Sequence, residues 1–157
     1  MTHKACVLIL DNLRSVENTA SIFRTADGFG VSKIILIGTT PTPVDRFGRK
    51  RADFGKVSLG AEDSMNWEHQ KDIGEAIEEL RSQNLKIISL EQRPKARKLI
   101  SGHKEQELFA LIVGNEVNGV SKEALEASDE IVEIDMLGRK ESLNVSVATG
   151  VALFVLL

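Results

Sequence analysis

The sequence predicts an α/β fold, a mostly parallel sheet flanked by helices, and three observations carry that prediction. Continuous apolar runs of strand length occur at residues 5–10 and 108–113, and residues 33–37 are apolar after Lys33, as expected for strands buried on both faces. Segments with helical spacing alternate with them, the pattern that produces parallel sheets. Nothing points to a stapled scaffold: Cys6 is the only cysteine, and no C-x-x-C or H-E-x-x-H spacing occurs, so no metal site is expected. The 157 residues fit one domain, 1–157, large enough to bury roughly two-thirds of its unfolded surface.

Taken in order, residues 5–10 form the first strand. Ser15 can cap a helix over residues 16–29, whose stripe Val16, Ala20, Phe23, Ala26 follows helical spacing, and Gly30 ends it. Residues 33–37 are the second strand. Residues 38–60 read as a long functional loop with one helical turn, holding Pro41, Pro43 and the cations Arg46, Arg49, Lys50 and Arg51. An amphipathic helix over 73–83, a strand over 86–90 and a strand over 108–113 follow. Ser121 caps a short helix to Ser128, and residues 130–134 form the last strand. The tail, 143–157, begins with strand-like alternation at Leu143, Val145 and Val147, but its length favours a helix. That helix is apolar almost all round, so both sides need cover. One side can meet the sheet; the other is expected to meet a second copy of the chain, which predicts a homodimer.

In open parallel sheets, ligands bind at the carboxyl ends of strands. The segments to inspect are therefore those after Leu10, Ile37, Leu90, Val113 and Ile134. Two nucleotide motifs are missing. No G-x-G-x-x-G occurs, and although Gly55 and Gly60 have P-loop spacing, Ala61 and Glu62 stand where Lys and Ser/Thr would hold phosphate and magnesium. The net charge of −3 does not favour a nucleic-acid partner on its own, but a local basic patch acts within a Debye length of about 8–10 Å. Arg46, Arg49, Lys50 and Arg51, with Phe47 and Phe54 interleaved, would suit RNA phosphates and base stacking; a solvated face is the plainer reading. Arg93, Lys95, Arg97 and Lys98 form a second such cluster. His3, His69 and His103 are scattered and carry no assignment. The lone cysteine fits a reducing, cytoplasmic setting, and the longest apolar run, 147–157, is too short for a membrane span of about 20 residues.

Three segments remain: NTASIFRTADGFG at 18–30, IVGNEVNGVS at 112–121 and IDMLGRKESLNVSVA at 134–148. In order and spacing they resemble the three motifs of the SpoU/TrmH family of RNA ribose methyltransferases, in the SPOUT superfamily, and the resemblance covers nearly the whole chain. It implies a C-terminal trefoil knot, which forms both the S-adenosylmethionine pocket and a homodimer interface. It implies methyl transfer to a ribose 2′-hydroxyl of RNA, transfer RNA ahead of ribosomal RNA, by a catalytic domain with no N-terminal RNA-binding extension.

The resemblance places Arg24, Asn18, Glu116, Ser142 and Asn144 in the catalytic constellation, and the backbones of Leu90, Glu91, Gly114, Ile134, Met136, Ser142 and Leu143 around the cofactor. Each also has a plainer reading. Arg24 is a solvated helix arginine, Asn18 satisfies backbone donors, and Glu116 is a surface loop carboxylate. Ser142 is the N-cap of the last helix, and Gly114 and Gly119 are ordinary turn glycines. A guanidinium stays protonated, so Arg24 suits a phosphate or a developing alkoxide better than the part of base. Asp135 stands where the family usually has proline, which bears on cofactor affinity. Two rival readings follow: a knotted RNA-binding dimer without catalysis, and a knotted methyltransferase that modifies a base.

Overall fold

The computed structural model describes residues 6–157; Ala5, predicted to begin the first strand, and His3 lie outside them. In chain order the elements are β1 (Cys6–Asp11), α1 (Val16–Gly28), β2 (Lys33–Ile37), α2 (Ala52–Ser58), α3 (Ala61–Ser64), β3 (Trp67–Gln70) and α4 (Ile73–Ser82). They continue with β4 (Lys86–Leu90), β5 (Arg97–Lys98), β6 (Phe109–Gly114), α5 (Lys122–Ala127), β7 (Glu130–Glu133) and α6 (Val145–Leu156).

The strands form one sheet in the order β3-β2-β1-β6-β4-β7-β5, and every pairing is parallel. The two strands with apolar side chains at almost every position, β1 and β6, lie next to each other near the middle of the sheet and are buried throughout. Alternate side chains point to opposite faces of a strand. Leu8 and Leu10 accordingly join the core beneath α1, α2 and α6, while Val7 and Ile9 join the core beneath α4 and α5.

Local signals set the helix ends. The Ser15 side chain accepts from the Asn18 N–H, the Asp72 side chain from the Glu75 N–H, and the Ser121 side chain from the Ala124 N–H, each a side-chain N-cap. The last helix departs from expectation. Its N-cap is Asn144, whose Oδ1 accepts from the Ser146 N–H at 2.9 Å, and Ser142 lies two residues before it.

Residues 38–60 depart too. The segment holds a two-turn helix, α2, where one turn was expected. Phe54 anchors it: the ring is fully buried and meets Phe23 of α1 edge-on, centroids 5.1 Å apart. The gain from burying an aromatic ring outweighs the cost of about 1 kcal/mol for Gly55 inside the helix. Phe54 therefore belongs to the core and is not an exposed stacking ring. The helix α6 buries Thr149, Ala152, Leu153 and Leu156 against the sheet, and leaves Val147, Val151 and Phe154 facing outward at i, i+4, i+7 spacing.

Candidate active site

Three of the five inspected strand ends, and the first turn of α1, meet at one cleft of about 470 Å³. The segments after β4, β6 and β7 form its walls, and Asn18 closes one side from the first turn of α1. Its volume lies within the usual range for small-molecule pockets. Leu90, Glu91, Gly114, Ile134, Met136, Ser142 and Leu143 all line it, as do Asn18, Glu116 and Asn144. The segment after β2 goes elsewhere, into the basic hairpin described below.

Glu116 organises the polar end. Its Oε2 accepts from the Arg14 N–H at 3.0 Å, and its Oε1 accepts from the Ser15 N–H at 3.0 Å and the Asn18 side-chain amide at 3.2 Å. The carboxylate thus sits at the amino end of α1, where the partial positive charge of a helix favours an anion. Partial burial works to raise its pKa, but the backbone N–H donors, including its own, and the Asn18 amide overcome this and hold it below the usual carboxylate range.

From Glu116 a chain of amides runs across the cleft. Asn144 Nδ2 donates to Asn18 Oδ1 at 3.1 Å, and Asn144 Oδ1 accepts from the Ser146 N–H and hydroxyl. Each amide is fixed by what it touches at both ends, so both present a defined face to a ligand. The Ser142 hydroxyl, exposed in the cleft, has no protein partner among the described residues.

The glycines answer to the chain itself. A Cβ on Gly114 would lie 2.1 Å from the backbone of Gly119 and Val120, and a Cβ on Gly119 would lie 2.1 Å from the Glu91 carboxylate. At Gly114 the turn 114–119 folds back on β6 so closely that only hydrogen fits, and at Gly119 the φ of +71° favours glycine. Glu91 then locks it, accepting from the Val120 N–H at 2.7 Å.

Other residues in this framework escaped sequence reasoning. Buried Asp11 accepts from the Ser121 N–H at 2.8 Å, tying β1 to the loop after β6. Asn115 Nδ2 donates to the Asn12 carbonyl at 2.7 Å, and its Oδ1 accepts from the Val117 and Asn118 N–H groups. Buried Thr40 takes the Leu13 N–H at 3.0 Å. Their only sequence signal is position, at or just beyond strand ends. Gln92 and Glu133 also line the cleft unannounced.

Arg24 is not brought to the cleft of its own chain. It is exposed, six residues beyond Asn18, hence about 9 Å along the helix and on another side of it. Its neighbours one turn away are Ser21 and, beyond it, Gly28; Ser21 and Thr25 border the outward apolar patch of Phe29, Val147, Val151 and Phe154. Asp135 forms an ion pair with Lys98 at 2.9 Å, joining the cleft segment 134–136 to the edge strand β5.

Residues 43–51 form a tight hairpin. Val44 and Lys50 pair antiparallel, the Asp45 N–H donates to the Arg49 carbonyl, and Gly48 turns at φ +76°. Three of its four predicted RNA cations are already paired with carboxylates: Arg49 with Asp45, Lys50 with Asp63 and Arg51 with Asp53. Arg46 instead lies over the Phe47 ring.

The buried Cys6 thiol, pushed up to about 12 by burial, offers no nucleophile. Among the described residues no cluster of His, Cys, Asp or Glu is placed to hold a metal, and no helix is long and apolar enough to cross a membrane.

Comparison with known proteins agrees with this layout. The model of the SpoU rRNA methylase family matches residues 5–154. The 23S rRNA (guanosine-2′-O-)-methyltransferase RlmB of Escherichia coli (strain K12) is 32% identical over 148 residues, which cover 94% of this chain and 58% of that protein. RlmB of Xanthomonas axonopodis pv. citri is 30% identical over 159 residues, covering 96% and 57%. The chain thus spans less than two-thirds of the length of these curated relatives. Among solved structures, the SpoU methyltransferase AviRb from Streptomyces viridochromogenes, in complex with AdoMet, superposes with a TM-score of 0.84 at 20% identity, over 98% of this chain and 60% of that one; it bears on the fold alone. The A. aeolicus TrmH/SpoU tRNA modifying enzyme superposes with a TM-score of 0.82 at 25% identity, over 96% and 73%.

Proposed function

Because the chain belongs to the SpoU rRNA methylase family, we propose that it transfers the methyl group of S-adenosylmethionine to a ribose 2′-hydroxyl of RNA. The observation that carries this reading is the convergence of Asn18, Glu116, Ser142 and Asn144 on the cleft lined by Leu90, Ile134, Met136 and Leu143. Those four apolar side chains suit an adenine ring, and Glu91, Gln92 and Ser142 supply polar groups for a ribose and an amino acid. The C-terminal knot that the family resemblance implies is part of the proposal, supported by the way the turn 114–119 and the segment 134–144 meet at this cleft.

When bound, the cofactor supplies an activated methyl whose thioether leaving group needs no protonation. The chain's task is then alignment, which can contribute roughly 7–11 kcal/mol. Ser142 and Asn144 are the groups assigned to touch the reacting atoms. Asn18 and Glu116 are positioning residues: Glu116 accepts from three groups of α1 and the turn before it, and those donors hold its pKa below the usual carboxylate range, which makes it a poor proton acceptor and a good clamp. Arg24 would hold the target phosphate and steady the ribose oxygen as the O–C bond forms, the methyl–sulfur bond breaks and the hydroxyl proton passes to solvent water.

Arg24 can serve only where a second copy presents it. The outward stripe Val147, Val151, Phe154 supports a homodimer, with exposed Arg24 next in sequence to Thr25, which lines that patch, and the cleft of the partner subunit as its destination. Mixing Arg24→Ala chains with Asn144→Ala chains tests the sharing: recovered activity in mixed dimers supports it, and none counts against it.

Transfer RNA ahead of ribosomal RNA stands as the proposed substrate, to be tested against the 23S rRNA names of the curated relatives. Incubating the protein with S-adenosylmethionine and each RNA, then mapping 2′-O-methyl positions, decides both questions. Methyl groups on bases, or saturable RNA binding with no heat from S-adenosylmethionine in calorimetry, would replace this reading.

A further inference from the structure

The hairpin at 43–51 divides its labour in a way its sequence conceals. Lys50 and Arg51 reach outside it to Asp63 and Asp53, and Arg49 bonds Asp45 within it, so these cations are spent on the fold. The Asp45 carboxylate also accepts from the Phe47 N–H at 2.8 Å and the Arg49 N–H at 3.0 Å, which sets the tip rigidly. At that tip Phe47 is 65% exposed, an aromatic ring held out into solvent by a structured turn. The guanidinium carbons of Arg46 and Arg49 stand 4.8 and 5.0 Å from its centroid. Among the described residues Arg46 has no carboxylate partner, so its charge is available.

A ring–guanidinium stack on a preset turn matches one ligand chemistry in particular. Unpaired bases stack on aromatic rings and on guanidinium planes, while the charge meets the phosphate. A duplex offers no free base face. The hairpin is also wired to the cleft, because Thr40 at the groove beneath it accepts from the Leu13 N–H, one residue before the Arg14 N–H that Glu116 holds.

We propose that the tip is a nucleotide subsite: Phe47 and its guanidinium neighbours stack an unpaired base, and Arg46 takes the adjoining phosphate. The inference rests on the reading of RNA as substrate, but not on methyl transfer. It makes Arg46 and Phe47 the RNA-reading pair and leaves Lys50 and Arg51 as fasteners.

The test measures binding of poly(A) and of the poly(A)·poly(U) duplex to the full chain by fluorescence anisotropy across a salt series. Phe47→Ala is expected to weaken poly(A) binding by about tenfold and leave the duplex unchanged, with the salt slope preserved. Arg46→Ala is expected to lower that slope by about one. Phe47→Trp should retain affinity, and its fluorescence should be quenched by poly(A) where the parent, with Trp67 alone, is not. Equal poly(A) affinity for Phe47→Ala and the parent, or no poly(A) binding by the parent, overturns the subsite. Calorimetry with S-adenosylmethionine on the same variants separates the two readings: intact cofactor binding with equal poly(A) affinity for Phe47→Ala and the parent overturns the subsite and leaves methyl transfer standing, whereas weakened poly(A) binding with no cofactor binding leaves only the subsite.

Discussion

Glu116 and Asp45 each gather two backbone N–H groups, but Glu116 draws on residues 102 and 101 positions away and Asp45 on residues 2 and 4 positions away. Both carboxyls are held below the usual range. Burial opposes this at Glu116, where backbone donors and Asn18 prevail, and the Arg49 N–H is the leading cause at Asp45. The distance between partners sets what each can do. The local cluster shapes a loop tip and little else. The remote cluster cannot form until distant segments have docked, so it reports on the whole sheet and orders the cleft only when the sheet is complete.

The largest effect that would break this contrast lies beside Glu116. Gly114→Ala forces a methyl group into the backbone of Gly119 and Val120. A loss of about 3 kcal/mol in chemical denaturation is expected, together with the cleft. A variant as stable as the parent would mean the turn has room it does not display.

Glu116→Gln comes next. It should cost about 1 kcal/mol of stability but lower methyl transfer about 100-fold, since Asn18 and Asn144 lose their anchor. Its acid profile sharpens the point. A carboxyl with a depressed pKa stabilises the fold above its unfolded value and gives that up as pH falls through the folded one. The parent should therefore lose stability below pH 4.5, its ordinary value, and the variant should lack that component. Identical acid unfolding curves would show that the clamp contributes nothing.

Asp45→Asn should behave as the local counterpart: unchanged melting temperature, faster hydrogen exchange at the Phe47 and Arg49 amides, and RNA binding weakened only a few-fold. A large drop in melting temperature would erase the distinction between the two carboxylates. The smallest effect is expected at Lys98→Ala. Removing the exposed partner of Asp135 should weaken S-adenosylmethionine by less than about fivefold in calorimetry, and less still at high salt.

The same division between near and far governs what could be read from the chain. Strands β1, β2, β4 and β6 announce themselves because burial on both faces writes an apolar run, while β7 is half-buried and shows only Ile131 and Val132 between two glutamates; α1 and α5 announce themselves by a capping residue and α4 by its amphipathic spacing. Trp67–Gln70 is a half-exposed edge strand with polar side chains, and Arg97–Lys98 is only two residues long, so neither leaves a pattern. Gly55 disguised α2 as loop, and the burial of Phe54 depends on Phe23, which is 31 positions away. At the site, motif resemblance supplied Asn18, Glu116, Ser142 and Asn144, and all four line the cleft. It could not supply Asp11, Asn12, Thr40 or Asn115, whose partners lie 27 to 110 residues away. Nor could it say that Arg24 is absent from the lining of its own cleft.

The sheet order has a consequence for biosynthesis. Strand β1 pairs with β2 a short way downstream, but its other edge waits for β6, whose residue Phe109 meets Cys6. At about 5–20 residues per second, a nascent chain holds that hydrophobic edge unpaired for roughly 5–20 seconds after β1 leaves the ribosome. An open apolar edge is a template for the wrong partner. Slow translation between β2 and β6 lengthens that exposure, and a chaperone that covers the β1 edge in the interval shortens it.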